Sequence, residues 1–380
     1  MQNLVLYRKY RPKIFADVVG QEHITQTLQN AIANNLVSHA YLFCGPRGTG
    51  KTTLARIFAK SVNCQQRKEG ESEPCNQCES CLAINQGNDI DLIEIDAASN
   101  RGIDEMRELK EGIRFVPTKS KYKVFVLDEA HQLSKDASNA LLKTLEEPPR
   151  HAILILATTE WHKMMATIVS RCQVFSFRKL QAPEIISRLE KILSQEKIEA
   201  EKSALELIAL ASGGSLRDAE TLLDQTVSFV GQDGKIERQE VQTLLGMADN
   251  SSIFQFLNFL QRKQAKEAIE FINEIIFKGV DLKEFVGSLI QFLREIFLLQ
   301  INVNLQTPLF LSLGEEERKA LKKFVMEFSP AQLKQALEKL TAAENQMKYA
   351  VIQQLPLEMA IVDLCIKNQP APLETASYLT

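Results

Sequence analysis

Gly45-Pro46-Arg47-Gly48-Thr49-Gly50-Lys51-Thr52 follows the pattern G-x-x-x-x-G-K-[ST], the spacing of a loop that cradles phosphate. Its glycines let backbone N–H groups turn inward around phosphate oxygens. A helix starting at the end of the loop adds the positive end of its dipole. On this reading Lys51 holds the β- and γ-phosphates of ATP and Thr52 ligates Mg²⁺, with Thr53 next to them. The bland alternative is a chance glycine-rich turn. The loop stands between an apolar strand, Ala40–Cys44, and a helical pattern, Lys51 to Val62, which is the context the chemistry requires.

Such a loop needs an acidic partner on a neighbouring strand. Val124-Phe125-Val126-Leu127 followed by Asp128-Glu129 supplies one. Asp128 would support Mg²⁺, usually through water. Glu129 would orient and polarise the attacking water, so its loss should stop hydrolysis more than binding. The alternative is a strand that simply ends in acidic surface residues. Asp128 to His131 also spell D-E-A-H, which invites a helicase reading. That reading needs a second strand-rich motor domain, and the helical C-terminal half argues against it. His131 is therefore read as a neutral structural or supporting residue.

Three further positions could respond to the nucleotide. The strand Ala152–Ala157 ends in Thr158-Thr159, where a hydroxyl could reach the γ-phosphate or the water, or could merely cap the strand. Ser170-Arg171-Cys172 precedes the strand Gln173–Phe177. Arginine stabilises phosphoryl transfer and can come from another subunit, although a surface arginine is the default. Gly214-Ser215-Leu216-Arg217-Asp218 opens a helix whose Arg217 would swing toward or away from the nucleotide. An intrahelical pair with Glu220 or a nearby acid is the competing account.

Cys64-x10-Cys75-x2-Cys78-x2-Cys81 places four thiolates within one short stretch. Soft thiolates so spaced suit tetrahedral Zn²⁺, and four of them fill its coordination sphere. The expected role is structural, pinning an insertion between the P-loop helix and a strand over Asp91–Ile95. An iron–sulfur cluster is the alternative; unliganded cysteines fit poorly, because the rest of the insertion is polar. Cys44, Cys172 and Cys365 are isolated and read as small buried hydrophobes.

The elements that position these residues change character along the chain. Up to about residue 178 short apolar strands alternate with helical patterns, which implies a parallel sheet covered by helices. Pro183 opens a helix, Glu201–Ala211 reads as another, Gly213-Gly214 breaks it and Ser215 caps a third. From about 244 to 368 only helical periodicity remains, punctuated by Pro330 and Pro356. Residues 369–380 read as a tail or the start of a linker. The expected domains are thus 1–178 with the cysteine insertion at 64–81, a three-helix domain over 179–243, and a helical domain over 244–368. Length, 380 residues, suits two or three domains. The net charge of −3 argues against a surface that grips nucleic acid everywhere, so any such contact is local or shared. Arg8, Lys9, Arg11 and Lys13, and Lys119, Lys121 and Lys123, are the local basic stretches, each also readable as solvated surface. No apolar run approaches the roughly 18 residues of a membrane span, and residues 1–10 lack a signal-peptide core, so a cytosolic (cytoplasmic) location is expected.

Taken together, the motifs resemble the gamma/tau family, the clamp-loader ATPases of bacterial DNA polymerase III in the AAA+ class. Tyr10-Arg11-Pro12 with Phe15-Ala16-Asp17-Val18-Val19-Gly20-Gln21 opens the chain as that family does. The P-loop, the D-E-A-H strand and the four-cysteine insertion follow. Asn139-Ala140-Leu141-Leu142-Lys143-Thr144-Leu145-Glu146-Glu147-Pro148-Pro149, Ser170-Arg171-Cys172 and Gly214-Ser215-Leu216-Arg217-Asp218 complete the set. The resemblance is strong to about residue 245 and only one of character beyond it. It implies an AAA+ domain with a zinc insertion, a small helical lid and an all-α collar, forming an ATPase within the DNA polymerase III holoenzyme. Thr159 would be the first sensor, with Thr158 as the alternate. Arg171 would be the arginine finger for the adjacent subunit, and Arg217 the second sensor. Arg11, Val18 and Val19 would border the adenine. The implied partners are copies of itself and delta- and delta-prime-type subunits in a hetero-oligomeric ring, a sliding clamp and primer–template DNA.

Overall fold

The computed structural model describes residues 4–99, 111–231, 234–246, 249–303, 305, 307, 309–310 and 313–366. The expected tail over 369–380 lies outside them. They form two compact units, dividing after Ile236.

The first unit is built on a five-stranded parallel sheet: β1 (Ala40–Cys44), β2 (Leu92–Asp96), β3 (Lys123–Asp128), β4 (Ala152–Thr158) and β5 (Gln173–Ser176), in the order β2-β3-β4-β1-β5. All residues of β1 and β4 are buried, as central parallel strands covered on both faces require. Successive side chains point to opposite faces. Tyr41 and Phe43 of β1 enter one core with Val124, Val126 and Ile155, while Ala40 and Leu42 enter the other with Phe125, Leu127 and Leu154. Contrary to the expectation of a neighbouring strand, the acidic strand is not a hydrogen-bonded neighbour of the P-loop strand, because β4 lies between them. The register still brings the strand ends together: Cys44 faces Thr158, and Leu127 faces Leu156. Parallel sheets hold their ligands outside such carboxyl ends.

The helices of this part of the chain are α1 (Leu6–Lys9), α2 (Glu22–Ala33), α3 (Lys51–Val62), α4 (Glu79–Gln86), α5 (Lys135–Glu146) and α6 (Ala166–Val169). The P-loop helix α3 is anchored by Leu54, Ile57 and Phe58, each at most 1% exposed. Truncating Phe58 to alanine would cost about 3–5 kcal/mol by the usual cavity rule. Three more helices follow, α7 (Ala182–Glu196), α8 (Lys202–Ala211) and α9 (Leu216–Val230). Gln181 and Glu184 form a capping box around Pro183 at the start of α7, and the Ser215 hydroxyl caps α9 by accepting from Asp218 N. Gly213 and Gly214 take positive φ of 58° and 90°, which ends α8 and redirects the chain.

Among the described residues the second unit contains helices and no strand: α10 (Arg238–Leu244), α11 (Asn250–Gln261), α12 (Ala265–Phe277), α13 (Leu282–Ile301), α14 (Glu315–Glu327), α15 (Pro330–Met347) and α16 (Leu355–Ile366). Its core is one cluster rich in phenylalanine, including Phe256, Phe285 and Phe292. Ser329 caps α15 and Pro330 occupies its first turn, where a missing N–H costs nothing. No described helix is long and apolar enough to cross a membrane.

Candidate nucleotide site and cysteine cluster

The chain leaves β1 through Gly45, whose N–H donates to Thr158 O at 3.2 Å. A Cβ at Gly45 would stand 2.4 Å from Phe177 O, and one at Gly48 would stand 1.9 Å from Ser215 Oγ. Both glycines have positive φ, so conformation and space alike demand them. Leu216 N donates to Gly48 O at 3.1 Å, which seats the first turn of α9 directly on the loop. Gly50, left-handed at φ 100°, turns the chain into α3.

Lys51 is 6% exposed. Its ammonium folds back on the loop and donates to Gly45 O and Pro46 O, both at 2.8 Å. Burial holds its pKa below the ordinary lysine value, opposed by the charges of Glu129 and Asp128. Thr49 Oγ1 donates to Pro46 O at 2.9 Å. Thr52 Oγ1 donates to Asp128 Oδ2 at 2.7 Å. The hydroxyl and carboxylate expected at the Mg²⁺ position are therefore in contact, an oxygen pair of the kind Mg²⁺ takes.

Glu129 adopts the left-handed conformation, φ 48° and ψ 42°, at a backbone cost of about 1 kcal/mol or more. Its N–H donates to Asp128 Oδ1 at 2.9 Å, and its carboxylate accepts from Thr159 Oγ1 at 3.0 Å. Because β4 separates β1 from β3, the tip of β4 stands between the P-loop and the acidic pair. Of the two threonines there, Thr159 turns toward Glu129. Thr158 is fully buried, accepts from Glu160 N at 3.1 Å and meets His131 Nδ1 at 3.0 Å. The His131 side chain is only 4% exposed, with Nε2 at 3.0 Å from Glu160, so it braces the strand ends from behind.

The rest of the cavity is walled by segments far apart in sequence. Arg11, Pro12, Val18 and Val19 come from the N-terminal segment, Leu180 from the connection after β5, and Leu216, Arg217 and Glu220 from α9; Arg47 and Gly48 to Thr53 form its floor with Asp128 and Glu129. Arg11 is half-buried, and that burial lowers its pKa. Two contacts were not foreseen. The Arg217 guanidinium lies 4.9 Å over the Tyr7 ring, and no pair of Arg217 with Glu220 forms among the described residues. Glu220 instead faces Arg188 at 3.5 Å, and burial pushes its carboxyl up to about 7 despite that arginine. The aromatic residue beside the N-terminal basic stretch was the available signal for Tyr7. Arg188 also donates to Tyr10 O, Tyr10 OH and Lys9 Nζ reach Glu196 at 2.6 and 2.5 Å, and Leu6 N reaches Asp224 at 3.4 Å. Arg171 lies elsewhere: it is held by Glu146 at 2.7 Å and Thr167 O at 2.8 Å and does not line the chain's own cavity.

The sulfurs of Cys64, Cys75, Cys78 and Cys81 all lie within 4.8 Å of one another. The Cys75–Cys81 separation is 3.9 Å, against about 3.8 Å for two corners of a tetrahedron with zinc–sulfur bonds of about 2.3 Å. Burial disfavours a thiolate at Cys75, but the amides of Gln77 and Cys78, which donate to its sulfur at 3.4 and 3.3 Å, prevail and lower it to about 6. Burial raises the Cys64 and Cys81 thiols instead, so it is the clustering of the four sulfurs that fits a thiophilic cation. Lys60 of α3, 2% exposed, donates to Asn76 at 2.6 Å and Asn85 at 2.8 Å, which fastens the insertion to the P-loop helix. Of the isolated cysteines, Cys44 and Cys365 are buried as expected, whereas Cys172 is only half-buried.

Comparison with known sequences converges on one system. Residues 20–181 match the profile described as DNA polymerase III, delta subunit; 184–232 match DNA polymerase III clamp loader subunit, ATPase lid domain; and 236–379 match DNA polymerase III subunits gamma and tau domain III. DNA polymerase III subunit tau of Bacillus subtilis is 43% identical over 366 residues, covering 96% of this chain and 64% of that protein. The Escherichia coli tau subunit is 40% identical over 302 residues, covering 80% of this chain and 46% of that protein. DNA polymerase III subunit gamma of Buchnera aphidicola subsp. Acyrthosiphon pisum is 35% identical over 362 residues, covering 95% and 98%. The chain therefore spans about half to two thirds of these tau subunits and nearly all of that gamma subunit.

Proposed function

The chain belongs to the gamma and tau family of DNA polymerase III subunits, and from that premise we propose that it is the ATP-hydrolysing motor subunit of a clamp loader. It would use ATP binding and hydrolysis to place a sliding clamp on primed DNA. The observation that carries this reading is the convergence of Lys51, Thr52, Asp128 and Glu129 on one cavity, with Thr159 bonded to Glu129 and Arg217 at the rim.

In this reading Lys51 leaves the carbonyls of Gly45 and Pro46 for the β- and γ-phosphates, while the amides of residues 47–50 supply the remaining donors. Thr52 and, through water, Asp128 would hold Mg²⁺, which supplies charge neutralisation at the phosphates. Glu129 polarises the attacking water; Thr159 fixes where its carboxylate points. Arg217 approaches the γ-phosphate from the lid. Arg171, half-buried against Glu146 and outside its own cavity, serves the neighbouring subunit's site. Arg11, Val18 and Val19 border the base. The four cysteines hold Zn²⁺. Residues 179–243 act as a lid on the 1–178 domain, and 244–368 as the collar that joins copies of this chain to delta- and delta-prime-type subunits in the cytoplasm.

ATPase rate measured with and without primed DNA, clamp and partner subunits tests the proposal. Stimulation by the complete set is expected. A rate indifferent to all of them overturns the clamp-loader reading while leaving an ATPase.

A further inference from the structure

The short 3-10 turn Phe15–Asp17 has no capping side chain of its own, since Ile14 at its start offers none. The first amides of such a turn have no internal acceptor. Here Phe15 N donates to Glu73 Oε2 at 2.8 Å and Ala16 N donates to Oε1 at 3.0 Å. Gln29 Nε2 of α2 adds a third bond to Oε1 at 3.2 Å. One carboxylate from the cysteine insertion therefore caps a turn 57–58 residues away in sequence. Charge-assisted bonds of this kind are about twice as strong as neutral ones, and an anion suits a helical N-terminus.

The turn carries the cavity wall. Phe15 is 2% exposed in the core that also takes Leu54 and Phe58 of the P-loop helix. Val18 N closes the turn on Phe15 O at 3.1 Å, and Val18 and Val19 then line the cavity. At its other end Glu73 is followed by buried Pro74 and by Cys75, so its backbone is held wherever the sulfur cluster holds it. We propose that Glu73 is a positioning residue for the nucleotide site, through which the cysteine-knotted insertion sets the Val18–Val19 wall, so that metal in the cluster tightens nucleotide binding. The inference rests on the nucleotide reading of the P-loop. Without the metal the segment from Cys64 to Cys81 loses its cross-link, Glu73 loses its anchor, and the Phe15 and Ala16 amides turn to water.

The test is titration of the full chain with a fluorescent ATP analogue and Mg²⁺, as purified with zinc and after zinc chelation under reducing conditions. Wild type, Glu73→Ala, Glu73→Gln and the control Glu71→Ala are compared, with amide exchange at Phe15 and Ala16 followed in parallel. Glu73→Ala should keep its zinc yet bind nucleotide about fivefold or more weakly, the lower end of usual coupling between sites. Chelation should weaken wild type by a similar factor and weaken Glu73→Ala little further, since the two perturbations break one connection. Glu73→Gln, which retains one acceptor oxygen, should fall between, and Glu71→Ala should match wild type. Unchanged affinity in zinc-loaded Glu73→Ala overturns the inference, as does chelation that weakens the variant as much as wild type. If Glu73→Ala fails to fold, chelated wild type decides: faster exchange at Phe15 and Ala16 with unchanged affinity refutes it. Lys51→Met in the same titration separates the two readings, because retained binding there sinks the P-loop assignment itself.

Discussion

Replacing Lys51 with methionine should remove most of the stabilisation that ATP confers without weakening the nucleotide-free protein. The ammonium is almost fully buried and spends two of its three donors on Gly45 O and Pro46 O. Transferred to phosphate oxygens, two charge-assisted bonds are worth about 1.5–3 kcal/mol each. The gross loss is about 3–6 kcal/mol; with the loop contacts given up on binding subtracted, about 3 kcal/mol is the working value, or roughly a hundredfold in affinity. At ligand one hundred times the wild-type dissociation constant, wild type gains about 2.7 kcal/mol and the variant only about 0.4. For a unit of this size that separates a midpoint shift of roughly 5–10 °C from one of about 1–2 °C. The nucleotide-free baseline moves differently. Burial lowers the Lys51 pKa, so the charged form is penalised in the fold relative to the unfolded chain. That penalty is present at every pH below the folded-state pKa and is relieved as pH rises through it. Methionine removes the charge at similar volume, so the baseline midpoint at neutral pH should stay level or rise. Thermal denaturation with and without Mg-ATP reads both quantities. A variant that keeps the wild-type shift, or whose baseline falls by as much as the shift it lost, refutes the account of Lys51 as a phosphate ligand held at an electrostatic cost.

Glu129→Gln keeps the shape that Thr159 contacts but removes the negative charge, so hydrolysis should fall by about 10² to 10⁴ while nucleotide affinity stays near wild type; equal loss of binding would show that Glu129 acts on the ground state. Arg171→Ala should bind ATP normally and lose DNA-stimulated hydrolysis only in the assembled complex. If the isolated chain loses activity to the same extent, the residue does not act across an interface. Metal analysis of purified protein should find about one zinc per chain, the stoichiometry of four thiolates around one ion, and iron with visible absorbance would reverse that assignment.

Features encoded by near neighbours were legible in the sequence. The Gly45–Thr52 loop, the Ala40–Cys44 strand before it and the Lys51–Val62 helix after it are consecutive, and the structure keeps those bounds. The cysteines gather within one insertion because they are close along the chain. The sheet order was not legible: β3 and β4 follow one another, but nothing local says that β4 is the strand inserted beside β1. That placement is what puts Thr159 rather than Thr158 at Glu129, because side chains alternate across a strand and its register decides which of two adjacent threonines faces the acidic pair. The partners of Arg217 and of Phe15 were hidden for a related reason. Tyr7 is 210 residues from Arg217 and Glu73 is 58 from Phe15, and no periodicity links such positions. An intrahelical pair with Glu220 was the natural local guess, whereas the structure gives Glu220 to Arg188 on another helix.

These distant contacts divide the N-terminal segment between two loyalties. Leu6, Lys9 and Tyr10 are bonded to Asp224 and Glu196 on the lid helices, and Arg188 holds Tyr10 O. Residues Phe15 and Ala16, only five positions on, are bonded to the cysteine insertion and packed beside the P-loop helix. Any rotation of the lid that carries Arg217 must therefore either break the first set of contacts or be absorbed between Arg11 and Ile14. The first set includes a half-exposed Lys9–Glu196 ion pair, the kind that holds little in water. The intervening stretch contains Pro12, whose ring fixes φ and concentrates the change in its neighbours. Arg11 sits in that stretch and lines the cavity. On the proposed reading Arg11 borders the nucleotide, so it would lie where strain from lid movement is taken up, and occupancy of the cavity would be coupled to the position of Arg217.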